Sequence, residues 1–258
     1  MDRKIRIGAV NYLNTKPLLH GLKIAPVHHA ISLTLDYPAH IATMLLNDEI
    51  DLGLVPVAIL PKLKNPHIDS DYCIGCDGEV SSVAIFSEKP IEELKTVLLD
   101  YQSRTSVALA KILIKQYWKL EPVLVDTRGE EFRHEIKGTT GGLIIGDRAL
   151  EQRHISAYHY DLGQAWKTFT GLPFVFAAWV SNKPLDPEFV REFNAANKAG
   201  IEHFKDIIDK NPFPYFDLNE YYSKYISYDL NEEKRKGLNL FLEMLKTSTT
   251  SSVSGLVP

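Results

Sequence analysis

The chain has 258 residues, 45% of them hydrophobic and 24% charged, a composition typical of folded globular proteins and not of disordered ones. Its 29 basic and 33 acidic residues give a formal net charge of −4, and no run of Lys and Arg suggests a partner such as nucleic acid or an anionic membrane. No apolar stretch reaches the roughly 18 residues that cross a bilayer, and the N-terminus lacks the apolar core of a secretory signal, so we expect a cytoplasmic protein.

The first third of the sequence predicts three strands separated by two helices. Residues 4–10 and 31–37 alternate between apolar and polar side chains, and residues 51–55 form a short apolar run typical of a buried strand. The segments between them, 17–22 and 38–50, have helical spacing and begin with proline, which the first turn of a helix tolerates.

The middle third repeats this order of elements. Apolar runs at 72–76 and 80–87 come first. Strands are then predicted at 96–100, 122–126 and 141–147, and helices at 103–118 and 130–138. The last third adds a strand at 174–180 and helices at 186–209, 218–226 and 231–246, with Asp186 as the candidate N-cap before Pro187.

Alternating strands and helices favour parallel sheets with right-handed crossovers, so each five-element unit predicts a small α/β sheet of its own. We expect two lobes, with hinge points near Ser87 and Pro173. The first lobe comprises 1–87 and 174–246, whose C-terminal helices return to pack on it, and the second comprises 88–173. The weaker alternative is one continuous sheet. Residues 247–258 resemble an expression linker and are excluded from the fold.

Motifs for metals, nucleotides and covalent catalysis are missing. The only cysteines, Cys73 and Cys76, supply half of a four-ligand zinc site, and we interpret them as buried thiols on a strand. The histidines share no metal spacing, and the sequence contains no Gly-rich phosphate loop, G-x-S-x-G elbow or H-E-x-x-H motif. We therefore expect neither a metal nor a cofactor.

Ligands of open α/β sheets bind beyond the carboxyl ends of the strands, and polar side chains follow the strand at 96–100. Ser103, Thr105 and Ser106 lie at the start of a helix, whose free N–H groups and positive dipole end attract an anion such as a carboxylate. Arg104 adds positive charge. The alternative is that Ser103 only caps the helix while the other hydroxyls face water.

Two further strand ends carry candidates. Asn14 and Thr15 follow the first strand and suit the orientation of a substrate by hydrogen bonds, although the same residues could form a turn that caps the helix beginning at Pro17. Asp147 lies at the carboxyl end of the strand predicted at 141–147 and is either an acid or base or part of a structural ion pair near Arg148. In a two-lobed protein these loops could face one shared cleft.

Six segments together resemble the chorismate dehydratase family, in the same order. They are residues 5–22, 50–60, 75–87, 100–114, 142–150 and 160–179. The resemblance implies the type II periplasmic-binding-protein fold, with two lobes around a central ligand cleft. It also implies conversion of chorismate to 3-[(1-carboxyvinyl)oxy]benzoate and water, the step that opens the futalosine route to menaquinone.

By motif, Asn14 and Ser82 match residues that take part in this reaction, and Ser81 beside Ser82 leaves the serine assignment open. The substrate-binding residues implied by the resemblance and by position are Thr15, Ser81, Ser103, Arg104, Thr105, Ser106 and Asp147. Chorismate is the expected small-molecule partner, and the oligomeric state stays open.

Two alternatives remain. The dihydroxynaphthoate synthase of the same pathway shares the fold but carries a Cys-Pro-Asn-Asp type motif at the first strand end, where this chain has the sequence NYLNTKP at 11–17. A non-enzymatic protein that binds an aromatic acid is the second alternative, and the absence of a signal peptide and a lipid-attachment cysteine argues against it.

Overall fold

The computed structural model describes residues 3–253, with side chains for residues 3–247. The described residues divide into two compact units. One contains the chain up to Cys76 together with Val175–Asn231, and the other contains Asp77–Phe174 together with the chain from Glu232 onward. Of the predicted linker at 247–258, the last five residues lie outside the described part of the chain.

Eleven strands occur among the described residues, numbered in chain order. They are β1 Ile5–Ala9, β2 Ile31–Leu35, β3 Leu52–Pro56, β4 Tyr72–Cys76, β5 Val83–Ser87, β6 Thr96–Leu99, β7 Val123–Asp126, β8 Thr140–Ile145, β9 Tyr158–Asp161, β10 Phe174–Ser181 and β11 Ser227–Asp229. The helices are α1 Lys16–Ile24, α2 Pro38–Leu46, α3 Arg104–Ile112, α4 Asp147–Gln152, α5 Leu162–Thr170, α6 Pro187–Ile201, α7 Phe204–Lys210, α8 Leu218–Glu220 and α9 Glu232–Val253.

The sheet of the first unit has the order β11-β4-β10-β3-β1-β2. The first three strands of the chain are parallel, β10 is antiparallel to β3, and β11 is antiparallel to β4. All five residues of β3 are buried, as the continuous apolar run predicts for a central strand. The sheet therefore brings the carboxyl ends of β1 and β3 side by side, where loops can hold a ligand.

Helices α1 and α6 of the first unit cross closely, and glycine makes the crossing possible. A Cβ at Gly21 would lie 1.8 Å from Ala196 O, and one at Gly200 would lie 2.0 Å from Pro17 O. The predicted N-cap of α6 is confirmed, since Asp186 accepts hydrogen bonds from Glu188 N and Phe189 N.

The sheet of the second unit has the order β7-β6-β8-β5-β9. Here β6 is parallel to β7 and β8, whereas β5 is antiparallel to both of its neighbours. The predicted helix at 130–138 is a 3-10 segment, Glu130–Glu135, and α3 ends in a π-helical turn, Leu113–Tyr117. In each sheet, one strand of the parallel set also pairs with an antiparallel strand: β3 with β10 in the first sheet and β8 with β5 in the second.

The predicted lobes and the compact units differ in two respects. Strand β5 was assigned to the first lobe, but it is hydrogen-bonded on both sides within the second sheet, so the chain leaves the first unit after Cys76 and not near Ser87. Helix α9 was expected on the first lobe, but its Phe241 packs edge-on against Trp166 and Phe174 in the second unit.

The prediction of an α/β chain with two sheets is confirmed. Cys73 and Cys76 are buried thiols on β4, as expected, and neither forms a disulfide in the described part of the chain. Among the described residues, no helix combines the length and the apolar character that crossing a bilayer requires.

Candidate functional site

Asn14 and Thr15 lie in the first unit, in a 3-10 turn that joins β1 to α1. Thr15 is buried, and its Oγ1 donates to Asn14 Oδ1 at 3.1 Å. Tyr228 Oη, from β11, donates to the main-chain oxygen of Asn14 at 2.9 Å. Each oxygen atom of Asn14 thus accepts one hydrogen bond within the protein, and its Nδ2 donors and the second lone pair of Oδ1 can still hold a ligand.

The same turn does not act as a helix cap. Thr15 occupies the N-cap position of α1, but its side chain makes no capping hydrogen bond in the described structure. Burial raises the pKa of Tyr228 well above its ordinary value, so the hydroxyl keeps the proton that it donates to Asn14. The turn is therefore held from β11, which lies more than 200 residues further along the chain.

Ser81 and Ser82 lie in the second unit, in a tight turn before β5 that we call the serine turn, residues 79–82. Both side chains are fully buried. Ser81 Oγ donates to Glu79 Oε1 at 3.0 Å, and Arg153 Nη2 donates to the same carboxylate oxygen at 2.8 Å. Ser82 Oγ donates to Val80 O at the longer distance of 3.5 Å. The Ser81 hydroxyl is thus bound to a charged pair, whereas the Ser82 hydroxyl is bound to the main chain of the turn, and the assignment of the substrate serine stays a prediction.

Ser103, Thr105 and Ser106 surround the N-terminus of α3, and all three are buried. Ser103 Oγ accepts from Ser106 N at 3.1 Å and donates to Ser106 Oγ at 2.9 Å. Ser103 is therefore the helix cap that the alternative interpretation expected, but the other two hydroxyls do not face water. Arg104 is exposed.

A buried ion pair lies beside this loop. Arg148 Nη2 donates to Asp100 Oδ2 at 2.7 Å, and the Asp100 side chain has no exposed surface. Arg148 Nη1 also donates to both carboxylate oxygens of Glu130, at 2.9 and 3.1 Å. Burial raises the pKa of Asp100 above its ordinary value, even though Arg148 and the N–H groups of Gln102 and Ile145 oppose this shift.

The candidate residues of the second unit meet at the end of β8. Gly146 N donates to Ser82 O at 2.8 Å, and Ile145 N donates to Asp100 Oδ2 at 3.2 Å. Asp147, half-buried, begins α4 at this point. The loop before α3 and Asp147 therefore lie at the same edge because β6 and β8 are parallel, and the serine turn joins them because β5, which it precedes, is antiparallel to β8.

Three residues of this site were missed by the sequence analysis. Asp100 and Arg148 follow the neighbouring strands β6 and β8, and a carboxylate at the carboxyl end of a predicted strand was a signal that could have identified Asp100. Asp161, which accepts hydrogen bonds from Val80 N and Ser81 N, gave no such signal. Its segment carries no apolar periodicity.

Asn14 and Thr15 belong to the first unit, and the remaining candidates belong to the second. The shared cleft between these two groups stays a prediction. Among the described residues, no cluster of three or more His, Cys, Asp or Glu side chains is arranged to hold a metal ion.

Comparisons with known proteins extend over nearly the whole chain. A family model described as menaquinone biosynthesis matches residues 5–247. A chorismate dehydratase of Thermus thermophilus is 29% identical over 272 residues, which cover 93% of this chain and 94% of that protein. A chorismate dehydratase of Campylobacter jejuni is 25% identical over 248 residues, which cover 93% and 96%.

Similar solved structures support the same fold at low sequence identity. A protein of Archaeoglobus fulgidus superposes with a TM-score of 0.75 at 14% identity, covering 96% of this chain and 98% of that one. A Candida albicans protein described as having the generic periplasmic binding protein fold superposes with a TM-score of 0.61 at 11% identity, covering 96% and 91%. The predicted fold class, the periplasmic-binding-protein fold, is confirmed.

Proposed function

The chain belongs to the menaquinone biosynthesis family, and from this membership we propose that it is a chorismate dehydratase. The observation that carries the proposal is the extent of the similarity. The family match spans the loops that hold Asn14, Ser82 and Ser103, and each of the two chorismate dehydratases matches 93% of the chain. The enzyme would be a hydro-lyase that acts in the cytoplasm without a metal or cofactor.

The reaction removes the C3 hydrogen of chorismate as a proton and the C4 hydroxyl with its bonding electrons, and the two leave as water. The ring that remains is aromatic, which provides the driving force. The protein has to fix two carboxylates, hold the C4 hydroxyl against hydrogen-bond donors and exclude bulk water. Hydroxyl and amide side chains at strand ends can donate the hydrogen bonds that hold the carboxylates and the C4 hydroxyl. The reaction needs no external electron acceptor.

The N-terminus of α3 is the proposed site for a substrate carboxylate. The Thr105 and Ser106 hydroxyls are buried in the first turn of the helix, where Ser103 Oγ caps Ser106 N and where the positive end of the helix dipole lies. The protein carries a net charge of −4 and would otherwise repel a dianion.

Thr105→Ala tests this site. Loss of one charge-assisted hydrogen bond costs about 1.5 to 3 kcal/mol, so the dissociation constant for chorismate should rise by roughly ten-fold or more. Thr43→Ala is a matched control, because Thr43 is an exposed helical threonine whose hydroxyl donates to Ala39 O. Isothermal titration calorimetry measures both variants. An unchanged affinity in Thr105→Ala would place the carboxylate elsewhere.

Asn14 is proposed to hold the ring and its C4 hydroxyl in the geometry of elimination. A carboxamide is not a base near neutral pH, so its contribution lies in hydrogen bonds that strengthen in the transition state. Asn14→Ala should therefore lower kcat much more than it weakens binding, and Ser82→Ala should behave alike. Asn47→Ala, at an exposed position bonded to Glu49, is the control and should leave both quantities unchanged.

The proton acceptor at C3 is still to be assigned among Asp147, a bound water and a carboxylate of the substrate. The half-buried position of Asp147 at the end of β8 makes it the protein group to test first. If Asp147 takes the proton, Asp147→Asn should abolish turnover while chorismate still binds, as pre-steady-state kinetics and calorimetry would show.

A further inference from the structure

Asp161 connects the serine turn to the start of α5. Its carboxylate accepts Val80 N at 3.1 and 3.2 Å, Ser81 N at 2.8 Å and Gln164 N at 2.9 Å. The bond from Gln164 caps α5. The other two bonds join Asp161 to residues about 80 positions earlier in the chain, and neither belongs to a helix or a strand ladder.

The turn that these bonds hold has a strained backbone. Ser81 has φ of +62°, in the left-handed region that side-chain-bearing residues rarely adopt. This conformation costs about 1 to 2 kcal/mol and persists only where surrounding contacts enforce it. Ser81 N belongs to the strained residue and Val80 N to the residue before it, so Asp161 supplies two of those contacts. Without them Ser81 could relax, and the relaxation would reorient Ser82.

Charged groups lie on each element around this carboxylate. On the serine turn, Glu79 is paired with Arg153, which follows α4. On β9, burial lowers the pKa of His159 and raises the pKa of Tyr160. On α5, Lys167 pairs at 2.6 Å with Asp77, which precedes the turn. The cations are thus bound to other carboxylates, and main-chain N–H groups provide the hydrogen bonds to Asp161.

Burial raises the pKa of Asp161 to about 6, and Glu79 contributes to the same direction, whereas the three N–H donors oppose it. Above this pH the carboxylate is ionised and both oxygens accept hydrogen bonds. Below it, a proton occupies one oxygen and removes acceptor capacity from the turn. Asp161 therefore binds the serine turn most strongly above about pH 6, where its carboxylate is ionised.

We propose that Asp161 is a positioning residue for the dehydration: its carboxylate holds the serine turn in the conformation that presents Ser82 to the substrate, and protonation releases this hold. The inference rests on the proposed function, because Ser82 matters here only if it contacts chorismate. Asp161 itself touches neither the substrate nor the reacting atoms, and it acts through the backbone of the turn.

Asp161→Asn is the direct test. The variant keeps the size of the side chain but points an amide donor at N–H groups, so the turn loses at least one bond. We expect kcat to fall by roughly ten-fold or more and KM to change by less than about three-fold. The matched control is Asp186→Asn, which makes the same substitution at the N-cap of α6, away from the serine turn, and whose kcat should stay unchanged.

The wild-type protein provides a second test that does not depend on the folding of a variant. Its kcat should decline below about pH 6, and the amide signal of Ser81 in an NMR titration should move over the same range. A kcat of Asp161→Asn equal to that of the wild type, or a wild-type profile that is flat from about pH 5 to 8, would overturn the inference. Wild-type protein that leaves chorismate unchanged at every pH, while the Ser81 amide still titrates, would instead overturn the proposed function.

Discussion

Removing the guanidinium of Arg148 should destabilise the protein through the carboxylate that it leaves behind. Asp100 has no exposed side-chain surface, and its bond from Arg148 Nη2 is 2.7 Å long. In Arg148→Met, the only neighbours that still donate to Asp100 in the described structure are Gln102 N and Ile145 N. A buried charge that loses its partner typically costs about 3 to 5 kcal/mol, and this sets the expected magnitude at pH 7.

The stability lost in Arg148→Met should be smaller at low pH than at neutral pH. The pKa of Asp100 is already raised by burial, and it should rise further once Arg148 is removed. When the pKa of Asp100 is higher in the folded protein than in the unfolded chain, the folded protein binds a proton at Asp100 more readily, and protonation favours folding. The free energy of unfolding of Arg148→Met should therefore recover as the pH falls through the folded pKa of Asp100 toward its unfolded value, and the deficit should be largest at pH values above that folded pKa.

Urea unfolding followed by circular dichroism measures both effects. Arg191→Met is the matched control, since its ion pair with Glu188 is exposed on both sides, and its stability should change by less than about 0.5 kcal/mol. The double variant Arg148→Met/Asp100→Asn should regain much of the lost stability, because the buried charge is gone. A loss below about 1 kcal/mol for Arg148→Met at pH 7 would refute this account of the pair.

Three further predictions follow from single contacts. Gly21→Ala should lower the free energy of unfolding by more than about 2 kcal/mol in a urea titration, since its Cβ would lie 1.8 Å from Ala196 O; an unchanged stability would contradict the close helix crossing. Tyr228→Phe should cost about 1 kcal/mol and also lower turnover, because it frees the main chain of Asn14; full turnover would show that this hydrogen bond does not position the turn. The pKa of Asp51 is lowered to about 2, so its stabilising contribution is present above pH 4 and lost toward pH 2, and Asp51→Asn should flatten the acid limb of the stability profile.

The repeated order of strands and helices was readable from the sequence because strands buried on both faces leave continuous apolar runs. Strand β3 is the clearest case, with all five residues buried. Strand β9 was missed because Tyr158 and His159 are exposed and Asp161 ends it, so the segment has neither an apolar run nor a clean alternation. Hydrophobic periodicity detects strands and helices that bury apolar side chains, and it does not detect those with exposed polar side chains.

The partners of each element were less predictable than the elements themselves. An amphipathic helix shows which face is apolar but not what covers it, and α9 therefore was placed on the first lobe although Phe241 packs on Trp166 in the second unit. The same limit applies to Asp100 and Arg148, which are 48 positions apart and meet only because β6 and β8 are neighbours. The loop at Ser103 was more readable, because N-cap chemistry is local in sequence.

The most direct test of the central claim is to incubate the purified protein with chorismate in the presence of a metal chelator and follow the mixture by mass spectrometry. The account predicts an aromatic product lighter than chorismate by one water, formed at the same rate with and without chelator and lost in Asn14→Ala. Chorismate recovered unchanged, although calorimetry shows that it binds, would contradict the dehydratase assignment and favour a binding protein for an aromatic acid.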